Sequence, residues 1–362
     1  MNLLLITVRS DFGGGPRHVD QLVKNLPDGV ELFMAYPKEG DPYAELWKSD
    51  KRIKGTYFIP YRKFSIKSLL GLKRFAKENK IDIVHSHGNG AGLYSRLLKV
   101  LCPKVKVVHT YHGISDVYSS KVKFLLSKLV GMILSPLADL YVCVSNGEKR
   151  MALDRKFSMD ENTVVIYNGI KDPYIVNHRD IGQSPFKIVT LSRFDYPKNM
   201  DSMFRIAKHW ARSIDIRFVW VGDGEDKARL EQQARTENVP IDFIGFTTEP
   251  MKYLQSSDLY LSTSRFEGLP YGLIEAASVG LPIVASDVKG NNEVVEHGYN
   301  GYLFKEESEA VNQIETIMND NAKYQQMSVA SVEFFKKNFT EEKMIGALVK
   351  EYKTLTELNY GS

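Results

Sequence analysis

Two glutamates eight residues apart, Glu267 and Glu275, bracket the turn Gly268-Leu269-Pro270-Tyr271-Gly272-Leu273. Two glycines and a proline let backbone N–H groups come close to a ligand before the apolar run from Leu273 starts a helix, and amides at the positive end of a helix attract phosphate. Glu267 precedes the turn and Glu275 falls about two helical turns on, so the carboxylates reach different parts of one elongated ligand. Carboxylates beside a phosphate site accept hydrogen bonds from ribose and sugar hydroxyls. On spacing alone the pair also suits a helix cap at Glu267 and a solvated Glu275. Arg193 and Lys198 follow a predicted strand and offer a guanidinium and an ammonium, suited to clamping a diphosphate and neutralising charge as it departs; otherwise they are a surface pair.

A second glycine loop, Gly13-Gly14-Gly15-Pro16, follows the first apolar run and leads into Arg17 and His18, which begin a helix that could face an acceptor. Gly14 and Gly15 allow close backbone approach to a diphosphate or sugar. The loop is not a dinucleotide fingerprint: G-x-G-x-x-G needs glycine at position 18, which is His18, and Gly222-x-Gly224 ends at Lys227. A nicotinamide dehydrogenase therefore loses its main signature. His112 follows a predicted strand; His109 lies within it and reads as core; His85 and His87 stand at another strand end, where they could touch an acceptor. No D-x-D triplet occurs, and no cluster of His, Cys and carboxylates stands at metal spacing, so the expected chemistry needs no metal.

These residues need a scaffold, and the chain alternates short β-rich runs with helical text. The first half has runs at Leu3 to Val8, Val30 to Ala35, Ile81 to His85, Val105 to Thr110, Leu140 to Val144 and Val164 to Ile166. A polar stretch from Asn168 to Pro185 reads as a linker. A second series follows at Lys187 to Leu191, Ile216 to Val221, Ile241 to Ile244, Leu259 to Ser262, Pro282 to Ala285 and Gly301 to Phe304. This βα alternation predicts an α/β fold of two Rossmann-like domains with mainly parallel sheets facing across a cleft, 1–170 and 171–340, followed by a last helical stretch over 341–362. Ligands of open parallel sheets bind at the carboxyl ends of strands, which is where every glycine-rich or charged stretch above falls.

The 362 residues are 43% hydrophobic and 25% charged, ordinary globular material. Cys102 and Cys143 sit in apolar text without a C-x-x-C, which fits buried reduced thiols in a cytosolic protein. Met1 to Val8 is too short for the apolar region of a signal peptide and reads as a buried strand, so export is not expected. Val122 to Leu134 falls short of the ~20 residues a bilayer span needs. Net charge is +4, but residues 1–170 hold 26 basic and 16 acidic residues while the remainder is acidic. Lys48 to Lys80 alone carries 11 basic and 2 acidic residues, interleaved with Trp47, Tyr57, Phe58, Tyr61, Phe64, Leu69, Leu70 and Phe75. This is the pattern of a surface drawn to anionic lipid headgroups; no nucleic-acid-binding motif accompanies it, and a nucleic-acid partner is not expected.

The segment Glu267 to Glu275 resembles the E-x7-E motif of retaining GT-B glycosyltransferases, and the surrounding text resembles glycosyltransferase family 4. The similarity takes in Gly13 to Val19, Thr110 to Gly113, Val144-Ser145-Asn146, Tyr167-Asn168-Gly169, Ser192 to Asn199, Val221 to Gly224, Gly280 to Ala285 and Glu293. Each stretch is weak alone; their order is specific. The resemblance implies a GT-B fold whose last helix, 341–362, crosses back to the first domain, with Glu267 on the donor sugar, Glu275 on the ribose, Arg193 and Lys198 on the diphosphate, and His112 near the reacting carbon. It places the nucleotide base near Gly222 to Gly224 and Ile244 to Phe246. The expected protein is a cytoplasmic, peripherally membrane-bound retaining transferase that moves a sugar from a nucleotide donor, UDP before other carriers, to a lipid-linked oligosaccharide in capsule, O-antigen or exopolysaccharide assembly. A small soluble acceptor and a GT-B-like sugar-nucleotide epimerase are the alternatives.

Overall fold

The computed structural model describes residues 1–39, 42–114, 121–173 and 185–357. Contacts divide the chain into two compact units, Met1–Asn168 together with the stretch from Glu341, and Gly169–Thr340.

Unit 1 runs β1 (Asn2–Thr7), α1 (Gly14–Asn25), β2 (Glu31–Tyr36), α2 (Tyr43–Ser49), β3 (Ile53–Phe58), α3 (Ile66–Glu78), β4 (Ile83–His87), α4 (Gly88–Leu101), β5 (Lys106–Tyr111), α5 (Lys121–Leu134), β6 (Leu140–Cys143), α6 (Asn146–Asp154) and β7 (Thr163–Val165). It is closed by α13 (Glu341–Glu357). Its seven strands form a parallel sheet in the order β3-β2-β1-β4-β5-β6-β7. The chain leaves β1 in one direction and returns beside it at β4, so the β1/β4 boundary is the switch point where an open sheet binds ligands. Alternation sorts the strands onto two faces. Leu3, Leu5 and Ile83 pack with Leu22 of α1, Trp47 of α2 and Leu348 and Tyr352 of α13. Leu4, Ile6 and Val84 pack with Leu72 of α3 and Tyr94 of α4.

Unit 2 runs β8 (Phe186–Leu191), α7 (Met200–Lys208), β9 (Ile216–Val221), α8 (Lys227–Glu237), β10 (Ile241–Gly245), α9 (Pro250–Gln255), β11 (Leu259–Ser262), α10 (Tyr271–Ser278), β12 (Ile283–Ser286), β13 (Gly301–Phe304), α11 (Glu307–Asn319) and α12 (Asn321–Asn338). Its six parallel strands are ordered β10-β9-β8-β11-β12-β13, with the switch point between β8 and β11. Phe194, Phe218 and Trp220 centre its core.

Most strands coincide with the apolar runs, because a strand buried on both faces needs no polar alternation. β3 lies inside the stretch read as a basic surface, and that reading needs correction. Trp47 is buried against Tyr36 and Tyr43, and Leu69 is buried in the α3 core, while Tyr57 and Phe75 are half-buried. Of the apolar residues named there, Phe58, Phe64 and Leu70 are the exposed ones. Much of the linker stretch, 174–184, lies outside the described residues. Both cysteines are buried, and neither is in a disulfide.

Candidate active site

In unit 2 three loops converge at the switch point. Lys198 leaves the loop after β8 and donates to Glu267 Oε1 at 2.6 Å, and Ser264 Oγ donates to the same oxygen at 2.7 Å. Both ion-pair side chains are largely buried, at 21% and 14% exposure, so the pair is less screened than a surface one. Backbone links fix the loops. The Arg265 amide donates to the Pro197 carbonyl at 2.8 Å, and Thr263 Oγ1 donates to the carbonyls of Lys198 and Asn199 at 3.1 and 3.0 Å. The loop after β12 braces the third side: the Glu267 amide donates to Lys289 O at 3.2 Å. A Cβ on Gly290 would lie 2.6 Å from Gly268 O, so only glycine permits that approach at φ 88°. Glu267 is thus a held carboxylate and not a helix cap; the cap position of α10 is Pro270, without a side-chain bond.

Glu275 lies on α10, buried at 5% exposure, with Leu269, Pro270 and Leu273 buried around the turn and Gly268, Tyr271 and Gly272 partly exposed. Gly272 faces the Tyr260 hydroxyl, where a Cβ would come within 2.4 Å; that hydroxyl donates to Leu191 O at 3.1 Å and ties β11 to β8. Arg193 is exposed over more than half of its side chain and pairs with Asp195 at 3.0 Å. Gly222 and Gly224 follow β9 for a packing reason that motif reading did not supply: a Cβ on either would fall 1.8 Å from Ser192 O or 2.4 Å from Phe194 O, so the glycines seat the loop that carries Arg193. Phe246 stands exposed just past β10.

In unit 1 the strand ends at the β1/β4 switch bring together residues far apart in sequence. His18 is fully buried on α1, where it does not present itself to an acceptor as expected, and its Nδ1 shares a hydrogen bond with Asn168 Oδ1 at 3.2 Å. His87 Nδ1 and His112 Nε2 lie 3.2 Å apart. The His18 ring centroid is 5.4 Å from that of His87 and 4.9 Å from that of His112. One ligand atom from each of the three falls within 4.8 Å of the others, a group able to hold a metal ion, so the sequence reading that no such cluster exists is corrected. Gly15 lies against the His112 ring, 3.7 Å from where its Cβ would stand; Gly14 is exposed and Arg17 half-buried. His85 turns out to be structural: its nitrogens reach Tyr352 Oη and Thr110 Oγ1, each at 2.6 Å. His109 is core, bonded to Ser86 Oγ at 2.9 Å.

Burial pushes the His18 imidazole down to about 4, despite Asn168 favouring the charged form. His87 and His112 lie well below the ordinary histidine range, first through burial and then through their neighbouring imidazoles. The cluster is neutral at pH 7, a set of hydrogen-bonding or ligating nitrogens and not a cationic patch.

Glu148 was missed by motif reading. Fully buried at the start of α6, it accepts from the Gly113 and Ile114 amides at 2.6 and 2.9 Å and from the Val144 amide at 3.0 Å, which fixes the turn directly after His112. The one signal was its position three residues after Ser145, whose hydroxyl caps α6 by accepting from the Glu148 amide. Glu148→Gln puts an amide NH2 against backbone donors, and we expect a loss of about 2 kcal/mol in chemical denaturation.

The profile described as "Glycosyltransferase Family 4" matches residues 12–172, and "Glycosyl transferases group 1" matches 175–333. The chain belongs to glycosyltransferase family 4. This transferase is 26% identical to the O-antigen biosynthesis glycosyltransferase WbnH of Escherichia coli over 345 residues, covering 93% of this chain and 96% of that one. It is 27% identical to the UDP-Gal:alpha-D-GlcNAc-diphosphoundecaprenol alpha-1,3-galactosyltransferase of the same organism, over 78% and 77% of the two chains. The structure of HepE from Anabaena in complex with UDP and glucose superposes with a TM-score of 0.82 at 20% identity, covering 97% of this chain and 99% of that one. The fold of the transferase is therefore GT-B, with two Rossmann-like parallel-sheet domains.

Proposed function

We propose that the transferase moves a sugar from a UDP-sugar to a lipid-linked oligosaccharide in bacterial surface polysaccharide assembly, with retention at the anomeric carbon and without a metal. The observation that carries this reading is the Lys198–Glu267 pair, locked by three loops at the switch point of unit 2. The galactosyltransferase relative named above takes a UDP-sugar and a diphosphoundecaprenol-linked acceptor, which supports the choice of donor and acceptor.

Lys198 and Arg193 take the diphosphate, helped by the amide end of α10, and Glu275 accepts from the ribose. Glu267 accepts from hydroxyls of the transferred sugar. Gly222, Gly224 and Phe246 frame the base. An acceptor hydroxyl attacks the anomeric carbon on the face that the diphosphate leaves. The carbon–phosphate oxygen bond breaks with its electron pair going to UDP, and the acceptor proton passes to the departing phosphate oxygen. Charge that a divalent ion would otherwise neutralise is met by Lys198, Arg193 and loop amides.

Thermal shift with UDP, GDP, ADP and CMP, each with EDTA and then with Mg²⁺, tests the donor site. A ligand at a hundredfold its Kd adds about 2.7 kcal/mol to stability. We expect UDP alone to raise the Tm by several degrees, unchanged by EDTA. Shifts with no nucleotide would sink the donor reading. Transfer lost in chelator and restored by Zn²⁺ would refute metal independence and point to His18, His87 and His112.

A further inference from the structure

The helix α5 turns its apolar side outward. Val122, Leu125, Leu126, Leu129, Val130 and Ile133 are exposed, Val122 at 76% and Leu125 at 66%, and at 100° per residue they form one stripe roughly 140° wide. The opposite side seats the helix: Leu134 is buried, Arg155 lies over the Phe124 ring at 5.5 Å, and a Cβ on Gly131 would come within 2.5 Å of Phe157. An ordinary surface helix buries the stripe that α5 exposes. Scattered exposed leucines need no explanation, but six in register on one helix do.

We propose that this stripe is a membrane-docking surface that lies in the headgroup region of an anionic bilayer. Charge selects this occupant over a protein. The α5 segment contains Lys121, Lys123 and Lys128 and no acidic residue. Right-handed crossovers place α3, α4 and α5 on the same face of the sheet, and α4 packs against both of the others. On the α3 side, exposed Phe64, Ile66 and Leu70 stand among exposed Lys63, Lys67, Arg74 and Lys77. Two apolar patches therefore flank α4 in one layer, the α3 patch among exposed cations and the α5 patch on a segment whose only charged residues are lysines, which is the composition of an interfacial helix on anionic lipid. At 14 residues α5 is too short to span a bilayer, and among the described residues no helix is long and apolar enough to do so. The inference rests on the lipid-linked acceptor reading for its purpose and on the exposed stripe for its evidence.

The test is flotation of the full-length protein with vesicles of phosphatidylcholine containing phosphatidylglycerol, and with phosphatidylcholine alone. The comparison is with Leu125→Glu/Leu129→Glu/Ile133→Glu, whose substituted side chains are already exposed. The expected result is binding to the anionic vesicles, weaker binding to the neutral ones, and at least a tenfold loss in the variant with its Tm unchanged. A fluorophore on Leu129→Cys should shift to the blue on anionic vesicles. A variant that floats as well as the parent, or a label that does not shift, overturns the proposal. So does a parent that ignores vesicles and forms a dimer which the variant dissociates; the stripe would then be covered by a second copy. UDP thermal shift on both proteins separates this from the donor-site reading: vesicle binding with no UDP shift would sink only the choice of UDP as carrier, and a UDP shift with no vesicle binding only the docking surface.

Discussion

Lys198→Ala and Glu267→Gln should each lower kcat by two to three orders of magnitude, the usual cost of removing one electrostatic contact that strengthens in a transition state. The geometry predicts how the two differ. Lys198 faces both Glu267 and the proposed diphosphate, so its loss should also weaken UDP binding. Glu267 faces the proposed sugar; replacing its charge leaves Lys198 unpaired and available, so UDP should bind the Glu267→Gln protein at least as tightly as the parent. The double variant should lose about as much activity as either single one, because the two residues share one interaction. Stability should change by about 1–2 kcal/mol, since the largely buried pair keeps some contact with solvent and Ser264 remains on the carboxylate. Initial rates with a saturating UDP-sugar, together with UDP affinities, check the activity and binding statements, and chemical denaturation checks the stability one. Full transfer by Glu267→Gln would remove Glu267 from the chemistry.

Unit 1 should also be acid-labile over a defined range. His18 is held at about 4, and His85, His87, His109 and His112 are all lowered well below their ordinary value, in each case chiefly by burial. The unfolded chain takes up these protons near pH 6.5 and the folded unit does not, so the unfolded state binds more protons and stability falls as pH drops from 6.5 toward 4. Above pH 6.5 both states are neutral at these sites and the effect vanishes. His18 alone contributes a loss of about 3 kcal/mol by pH 4, at about 1.4 kcal/mol per pH unit. Amide hydrogen exchange at pH 7.5, 6 and 5 should show protection falling in peptides from β1, β4 and β5. Flat protection in those strands down to pH 5 would show that the imidazoles are not held neutral by the fold.

The scaffold was far more legible in the sequence than the site. Runs such as Leu3 to Val8 and Ile216 to Val221 announce strands because a parallel sheet covered on both faces is apolar throughout. β3 escaped because it is an edge strand: Lys54 and Gly55 interrupt it and most of it is half-exposed, so its text matches a surface. Exposure at the level of a helix face was equally hidden. Trp47 and Leu69 read as surface residues and are core, while the apolar half of α5 was read only as too short to span a membrane and is on the outside. The residues of the site were individually visible through motif resemblance, but their pairings were not. Lys198 meets Glu267 because β8 and β11 are neighbours, and His18, His87 and His112 meet because β1, β4 and β5 are; no local pattern encodes strand order. Glu148 shows the same limit, since its three donors come from two loops separated by about 30 residues of chain.

The helix α13 lies last in the sequence yet supplies Met344, Leu348 and Tyr352 to the core of unit 1, and Tyr352 holds His85 in the sheet beside the histidine cluster. Unit 2 is contiguous, from Gly169 to Thr340. During synthesis the first half of the chain therefore leaves the ribosome with that face of its sheet covered by α1 and α2 alone, and must wait for the whole of unit 2 to be translated before Met344, Leu348 and Tyr352 complete it. The unit that emerges first is the one completed last, and the hydroxyl that holds His85 is withheld until nearly the entire polypeptide exists.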